Sequence, residues 1–255
     1  MHITLATPMY GGMCHGRFMT SVFELQKLLN ENGHTLSMKF IYNESLIQRA
    51  RNDLANNFLQ DNETEVLLFI DADIHFTAND IYEMLLLDLD IVGAVVPLKS
   101  IHWENVKYAI DIGKEINQLP NFAGYFNINC DFTDKGIHND IINNRPFEVD
   151  RIGAAVLSIK KNVFIDMSNH VDTYRTINPN GITEDIIKYD FFPVGVVDGI
   201  FMSEDFGFCE QVKRLGYRVY ATTQPTIGHS GTFDFSGNLF HNVQLNRELN
   251  QSPKN

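Results

Sequence analysis

Two aspartates separated by one residue are the clearest candidates for chemistry in this sequence. Asp71 and Asp73 follow the apolar run Val66–Ile70. Because side chains alternate along an extended chain, the two carboxylates should point to the same side. Carboxylate oxygens suit Mg²⁺ and Mn²⁺, and Mg²⁺ is commonly held by one or two carboxylates together with substrate phosphates. The pattern predicts a divalent-metal site with Asp73 as the direct ligand, and with Asp71 contacting a ribose or reaching the metal through water.

A simpler explanation of these aspartates is a polar strand end or a helix-capping cluster, because short motifs often arise without function. Their context favours a ligand role. Two charges placed directly after five consecutive apolar residues cost free energy unless an ion or strong hydrogen bonds compensate them. The formal net charge of -12 also means that an anionic ligand needs local neutralisation, which a divalent cation would supply. The same charge, without clustered Lys and Arg, argues against nucleic-acid binding.

The elements that must position these carboxylates alternate between strand and helix. Extended runs are predicted at residues 2–7, 36–42, 66–70 and 91–96. Helical spacing lies between them, with Asn43 as an N-cap, Thr77 and Asp80 as a capping box and Gly33 as a C-cap. This alternation predicts an α/β fold with a doubly wound, mostly parallel sheet, in which ligands bind beyond the carboxyl ends of the strands.

The second half of the chain is less regular. Residues 107–151 and 172–188 are rich in polar and aromatic residues, and we predict them to be excursions or loops. Regular structure is predicted to return in a strand at 151–160, a helix at 203–215 and a short strand at 217–221. The last dozen residues are predicted to form a polar tail.

Cysteine content and hydropathy narrow the cellular setting. Cys14, Cys130 and Cys209 are odd in number and widely spaced, so a disulfide framework or zinc ribbon is not supported and a reducing compartment fits best. The start of the sequence lacks a basic region followed by a long apolar stretch, and no apolar run is long enough to span a bilayer. We expect a soluble, cytoplasmic protein without a signal peptide or transmembrane helix.

Several segments, taken in order, resemble GT-A glycosyltransferases, including the broad family 2 group and the fungal Anp1/Mnn9-type mannosyltransferases. The matching segments are Ser45-Leu46-Ile47-Gln48-Arg49-Ala50-Arg51-Asn52, Phe69-Ile70-Asp71-Ala72-Asp73, Ile152-Gly153-Ala154-Ala155-Val156, Ser203-Glu204-Asp205-Phe206-Gly207-Phe208-Cys209, and Leu215-Gly216-Tyr217 leading to His229. The resemblance implies a GT-A-like, Rossmann-type sheet flanked by helices with a smaller acceptor-side portion. It implies a single domain over 1–255, with a nucleotide-sugar-binding half at about 1–100, an acceptor-side half at about 101–240 and the polar tail at 241–255.

The resemblance also implies how the donor is bound. Pro8 and Tyr10 stand where the loop after the first strand meets the nucleotide base, and Arg51 and Asn52 stand where an Arg-Asn pair supports the donor site. Arg51 suits a bidentate contact to a diphosphate, although a helix-flank salt bridge would explain it equally well. Asn52 has a plainer alternative as well, a hydrogen bond to a neighbouring loop.

Three later residues complete the implied site. Asp205, with Glu204 beside it, matches the acidic motif that faces the acceptor, and His229 matches a late histidine of the metal shell. Acidic residues also favour a helix start without any catalytic role, and a single histidine is often a surface residue. Gly228 would let the backbone approach a ligand closely. His75 is predicted to be a loop residue outside the face shared by the two aspartates.

The implied activity is transfer of a hexose from a UDP- or GDP-sugar to a hydroxyl of a glycan or glycoprotein, assisted by Mn²⁺ or Mg²⁺. Asp205 would act as general base in an inverting enzyme and would position the sugar or acceptor in a retaining one. A rival is a nucleotidyltransferase, which needs a glycine-rich loop and a basic residue after the first strand; Gly11-Gly12 and Arg17 give only a partial match. A second rival is an inactive nucleotide-sugar- or metal-binding module.

Overall fold

The computed structural model describes residues 1–177, 181–183 and 185–232, so the predicted tail at 241–255 lies outside the described residues. The strands are β1 (His2–Met9), β2 (Thr35–Tyr42), β3 (Val66–Ile70), β4 (Ile74–Phe76), β5 (Ile91–Ala94), β6 (Ile128–Asn129), β7 (Phe147–Val149), β8 (Arg151–Ile152), β9 (Val156–Lys160), β10 (Thr173–Tyr174), β11 (Lys188–Tyr189), β12 (Gly195–Val197), β13 (Ile200–Met202), β14 (Val219–Thr222) and β15 (Ile227–His229). The α-helices are α1 (Gly16–Glu31), α2 (Ile47–Gln60), α3 (Ala78–Leu86), α4 (Trp103–Asp111), α5 (Lys135–Ile142), α6 (Lys161–Met167) and α7 (Glu204–Arg214), and short 3₁₀ helices cover Tyr10–Gly12 and Ile116–Phe122.

A seven-stranded sheet in the order β2-β1-β3-β9-β5-β14-β7 forms the centre of the molecule. Strands β2, β1 and β3 are mutually parallel, as are β5 and β14. Strand β9 runs antiparallel between β3 and β5, and β7 is antiparallel at the edge. The predicted mostly parallel α/β sheet is confirmed, with the reversed β9 as an addition that the alternation did not predict.

Strand β3 is buried on both faces, which explains its uninterrupted apolar sequence. Leu67 and Phe69 pack with α2, α6 and α7 on one face. Leu68 and Ile70 pack with α1 and α3 on the other. The alternation of side chains therefore places β3 in the middle of three layers, and Asp71 is the first residue to leave the core.

Two of the predicted helix caps are wrong in detail. Asn43 has a left-handed φ of 58° and does not cap α2, whose N-cap is Leu46. The carboxylate of Glu44 instead accepts from the amide of Leu46, 3.0 Å away. Thr77 is the N-cap of α3 but makes no side-chain cap hydrogen bond, and the carboxylate of Asp80 accepts from the amide of Thr226 at 2.9 Å in place of a capping-box contact.

The region predicted to be irregular between residues 107 and 151 contains the second half of α4 and all of α5. Their N-caps are His102 and Asp134, whose side chains accept from backbone amides of the first turn. The strand predicted at 151–160 is divided into β8 and β9 by a turn at residues 153–155. Within the described part of the chain, no helix is long and apolar enough to cross a bilayer.

Candidate functional site

A cleft of about 670 Å³ lies at the edge of the sheet where β1 and β3 end. Five of the residues singled out from the sequence line it: Pro8, Tyr10, Asp71, Asp73 and His229. Lys99, which the sequence analysis did not select, lines the cleft beside them. Because β1 and β3 are parallel neighbours, the segments that follow them open at the same sheet edge. The fold thus gathers these residues from four distant parts of the chain.

Asp71 is fixed to the scaffold from two directions. Its amide donates to the carbonyl of Ala155, 3.0 Å away, in the turn before β9. Its carboxylate accepts from Nη2 of Arg51 at 3.1 and 3.2 Å. Burial raises the pKa of the Asp71 carboxyl, Arg51 opposes that rise, and the charge of Asp73 adds to it. The orientation of Asp71 therefore depends on Arg51.

Arg51 lies behind the cleft and is only 3% exposed. Besides Asp71 it contacts Glu204, with Nε 3.2 Å from Oε1, and its guanidinium lies 5.3 Å from the centre of the Phe69 ring. Nη1 is buried and has no hydrogen-bond partner among the described residues. Arg51 thus ties the end of β3 to the start of α7 and does not line the cleft. The sequence had suggested a diphosphate contact or a helix-flank salt bridge; the structure shows a buried bridge between two carboxylates.

Asp73 and His229 meet at the mouth of the cleft. Strand β15 pairs with β4, placing His229 opposite Ile74, and the amide of Ser230 donates to the carbonyl of Asp73 at 2.8 Å. His229 Nε2 is 3.4 Å from Asp73 Oδ1. Nδ1 of the same ring is 2.7 Å from the carbonyl of Pro97, which can only accept, so Nδ1 carries the proton. Nε2 is the ring nitrogen left to face Asp73.

The titration behaviour of this pair follows from the same contacts. Burial acts to raise the pKa of Asp73, but hydrogen bonds from His229 and Lys99 outweigh it and lower the pKa to about 2. The hydrogen bond to Asp73 raises the pKa of His229, against the opposing effect of burial. Asp73 is therefore a carboxylate throughout the physiological range, and it favours the cationic form of His229 while no metal competes.

His75 supports this arrangement from behind. It lies within β4 and not in a loop as predicted, directly opposite Gly228 in the β4–β15 pair. A β-carbon built on Gly228 would overlap the imidazole of His75. The absence of a side chain at Gly228 therefore makes room for the His75 ring, and not for a ligand as the sequence analysis suggested.

Asp205 and Glu204 lie at the start of α7 and do not line the cleft. Oδ1 of Asp205 accepts from the hydroxyl of Ser203 and from the amide of Phe206, the latter at 2.8 Å. Oδ2 accepts from Nδ2 of Asn127 at 3.3 Å. Asp205 is 8% and Glu204 9% exposed. Glu204 pairs with Arg51, so its role in the structure is to anchor that guanidinium.

Asn127 was missed by the sequence analysis. It follows Phe126 in a segment predicted to be irregular, where no periodicity marks a particular side chain. A β-carbon at Gly153 would lie 2.7 Å from its amide nitrogen, so the small residue at 153 leaves space for Asn127 to reach Asp205. The run of small residues before β9 indicates that another group packs closely there, but it does not identify that group as Asn127.

Asn52 does not reach the cleft. Its Nδ2 donates to Oδ1 of Asp190 at 2.7 Å, and its Oδ1 accepts from the amide of Phe192 at 2.9 Å. Asn52 is 3% exposed. These contacts match the plainer alternative, a buried amide that fixes a neighbouring loop.

A divalent cation fits the donor atoms at the cleft mouth. A carboxylate oxygen of Asp73 and Nε2 of His229, in the neutral form of that imidazole, make a set that Mn²⁺ accepts. The hydrogen bond from Nδ1 to Pro97 is the contact that commonly orients a metal-binding histidine. Among the described residues, no three His, Cys, Asp or Glu side chains are grouped so as to hold a metal on their own. Phosphate and water oxygens would supply the remaining ligands, which is usual for Mg²⁺.

Comparison with known proteins supports the fold. No protein-family model and no curated protein sequence matches the chain. Among solved structures, A197 from STIV matches with a TM-score of 0.49 and 14% identity over 91% of this chain and 87% of that one. GalNAc-T7, solved with UDP, GalNAc and Mn²⁺, matches with a TM-score of 0.50 and 9% identity.

The GalNAc-T7 match covers 91% of this chain but 44% of the GalNAc-T7 chain, so this chain spans less than half of that protein. At such low identity the similarity concerns the fold and not the site residues. The narrower resemblance to family 2 and to the Anp1/Mnn9 type stays a prediction. The chain has an α/β fold of the GT-A glycosyltransferase type.

Proposed function

We propose that this chain is a divalent-metal-dependent glycosyltransferase that moves a hexose from a nucleoside-diphosphate sugar to a hydroxyl acceptor. The observation that carries the proposal is the meeting of Asp73 and His229 in one cleft with Pro8 and Tyr10, at the ligand-binding edge of a GT-A-type sheet. The similar protein GalNAc-T7 was solved with UDP and Mn²⁺, which is consistent with this ligand class.

In this proposal Asp73 and His229 bind Mn²⁺ or Mg²⁺ directly, and Asp71 contacts the ribose or a metal-bound water. The metal, when bound, would stabilise negative charge on the departing diphosphate. Arg51 holds Asp71 in place from behind and does not itself contact phosphate. These roles follow from exposure, because the proposed metal ligands line the cleft whereas Arg51 is buried behind it.

Tyr10 and Pro8 would bind the nucleotide base. Tyr10 is 75% exposed at the rim of the cleft, and an exposed aromatic face is suited to stacking on a planar base. Gly11 and Gly12, directly after it, have left-handed φ angles of 71° and 67°, which turn the chain back toward α1. Because of this turn, Tyr10 faces the cleft. A basic phosphate-binding loop is not needed to place it there.

Asp205 is the proposed general base of an inverting reaction, or the group that positions sugar or acceptor in a retaining one. Of its two oxygens, Oδ2 makes only the long hydrogen bond to Asn127, so Oδ2 is the atom with remaining capacity to accept an acceptor hydroxyl. Ser203 and the amide of Phe206 fix Oδ1 and therefore the direction of the carboxylate.

The test is a product assay with UDP- and GDP-sugars and Mn²⁺. Release of a nucleoside diphosphate, stimulated by Mn²⁺, supports glycosyl transfer or donor hydrolysis. Release of pyrophosphate from a sugar phosphate and a nucleoside triphosphate would instead identify a nucleotidyltransferase. Tight binding of the sugar nucleotide with neither product would identify an inactive binding module.

A further inference from the structure

Lys99 is the feature of the cleft that the proposed function does not yet use. Its ammonium group forms an ion pair with Oδ2 of Asp73, while His229 faces Oδ1 of the same carboxylate. Of the residues that line the cleft, all within the described part of the chain, Lys99 is the one lysine or arginine. The ammonium thus lies at the carboxylate where the proposal places the metal.

The stem of Lys99 is held by the segment that carries His229. A β-carbon at Gly231 would lie 2.8 Å from Cδ of Lys99 and 3.3 Å from its Cγ. The lysine stem therefore runs over the bare backbone of Gly231. The amide of the neighbouring Ser230 donates a hydrogen bond to the carbonyl of Asp73, and Nδ1 of His229 donates one to the carbonyl of Pro97. These hydrogen bonds fix the segment against the cleft. Cγ and Cδ lie against the Gly231 backbone, and rotation about the last bonds of the side chain would move the ammonium.

The carboxylates of the cleft and an incoming diphosphate together carry more negative charge than one divalent metal ion offsets. The other ionised groups that line the cleft include the carboxylates of Asp71 and Asp73, and the chain carries a formal net charge of -12. Arg51 is buried and already shared between Asp71 and Glu204. An anionic diphosphate entering this cleft would meet Lys99 as its accessible cation, since the Lys99 side chain is 42% exposed. Lysine is a common phosphate partner because its compact charge sits on a flexible stem.

We propose that Lys99 is the diphosphate-binding residue of this site, and that its ammonium moves from Asp73 to the donor's diphosphate when a metal ion binds Asp73. In the ligand-free state Lys99 neutralises Asp73 and competes with the metal. With metal and donor bound, Asp73 would be a metal ligand and the Lys99 ammonium would neutralise negative charge on the diphosphate. This inference rests on the proposed function and assigns the diphosphate subsite within it.

The competition and the phosphate contact predict opposite effects of one substitution. In Lys99→Met, Mn²⁺ in the absence of nucleotide should bind several-fold more tightly, because no ammonium occupies Asp73. UDP or GDP in the presence of saturating Mn²⁺ should bind about tenfold or more weakly, because a charge-assisted hydrogen bond to phosphate is lost. Both affinities are measured by isothermal titration calorimetry, and uridine and guanosine serve as ligands without phosphate.

Lys160→Met is the matched control. Lys160 also forms carboxylate ion pairs, with Asp88 and Asp90, but it lies at the far end of β9 from the cleft. Lys160→Met should therefore leave the Mn²⁺ affinity and the nucleotide affinity unchanged. Lys99→Arg keeps the charge and should retain most of the diphosphate affinity. Thermal unfolding of each variant shows whether it is folded. If Lys99→Met does not fold, Lys99→Gln takes its place in the same measurements.

Each outcome decides the inference. Unchanged UDP and GDP affinity in Lys99→Met would overturn the diphosphate contact while leaving the glycosyltransferase proposal intact. Unchanged Mn²⁺ affinity would overturn the competition for Asp73. Failure of the wild-type protein to bind either nucleotide with Mn²⁺ would overturn the proposed function and this assignment together.

Discussion

The two acidic regions of the site are built in opposite ways. At the end of β3, Asp73 is partly exposed in a cleft, with a side-chain accessibility of 27%, and its partners are the side chains of His229 and Lys99. At the start of α7, Asp205 and Glu204 are buried and held by neighbouring protein groups, although Oδ2 of Asp205 makes a single long hydrogen bond. The first region offers an incoming ligand a carboxylate whose side-chain partners can be exchanged. The second region fixes its carboxylates in place and leaves one oxygen with capacity to accept.

Removal of the exposed carboxylate should have the largest effect on activity. Asp73→Ala should abolish Mn²⁺-stimulated hydrolysis of a sugar nucleotide, because a direct metal ligand is lost. The fold should persist, since Asp73 is half-buried and its carbonyl can still accept from the amide of Ser230. Product release and circular dichroism test both parts. Full residual activity in this variant would contradict the metal assignment.

Replacing the buried carboxylate should slow transfer without affecting donor binding. Asp205→Asn keeps the shape of the side chain but replaces one carboxylate oxygen by an amide group that cannot accept a proton, so transfer should fall by about 10²- to 10⁴-fold if Asp205 is a general base. Calorimetry with a sugar nucleotide should give an unchanged affinity. A loss of donor affinity in Asp205→Asn would move this residue into the donor site.

Arg51→Met tests whether the buried arginine belongs to the scaffold. It leaves Asp71 and Glu204 without their cation, and breaking a buried pair of this kind costs about 3–5 kcal/mol of unfolding free energy. Urea denaturation measures the loss.

The control for this prediction is Arg49→Met. Arg49 pairs with Glu44, 2.5 Å away, but its side chain is 48% exposed. An exposed pair contributes about 0–1 kcal/mol. If Arg49→Met and Arg51→Met lower stability equally, the Arg51 bridge is not the buried anchor that the geometry indicates.

Gly228→Ala tests the support of His229 from behind. The added methyl group would collide with His75, and such overpacking costs about 1–3 kcal/mol. Mn²⁺ affinity should fall with it, because β15 carries His229. Gly16→Ala is the control, since a β-carbon at Gly16 meets nothing within 4 Å. His75→Ala combined with Gly228→Ala should recover part of the loss; no recovery would mean that another contact limits Gly228.

The fold was largely predictable because its signals are local. Strand β3 and the helices around it follow from apolar runs and helical periodicity, which neighbouring residues set. The reversal of β9 was not predictable in this way, because strand direction depends on the path of the preceding excursion. Helices α4 and α5 were missed because their apolar stripes are short and few of their residues are buried.

The site was predictable in part. The paired aspartates carried a physical signal at a strand end, whereas the expectation for His229 came from resemblance. The partnership of Arg51 with Glu204 joins α2 to α7, and no pattern along the chain indicates such a contact. Lys99 follows β5 by a few residues, so the rule that ligands bind beyond strand ends would have identified its neighbourhood. Its ion pair with Asp73 joins two separate segments of the chain, and no local pattern indicates such a contact.

The pairing of β15 with β4 bears on folding as well as on metal binding. These two short strands form a sheet of their own outside the seven-stranded core, through three residue pairs. Short elements with few backbone hydrogen bonds open locally at a lower free energy than the whole domain unfolds. Opening of this pair would carry His229 away from Asp73 while the central sheet stays folded. At the proposed metal site, affinity would therefore depend on this strand pair staying closed, and a bound ion would in turn hold the pair closed.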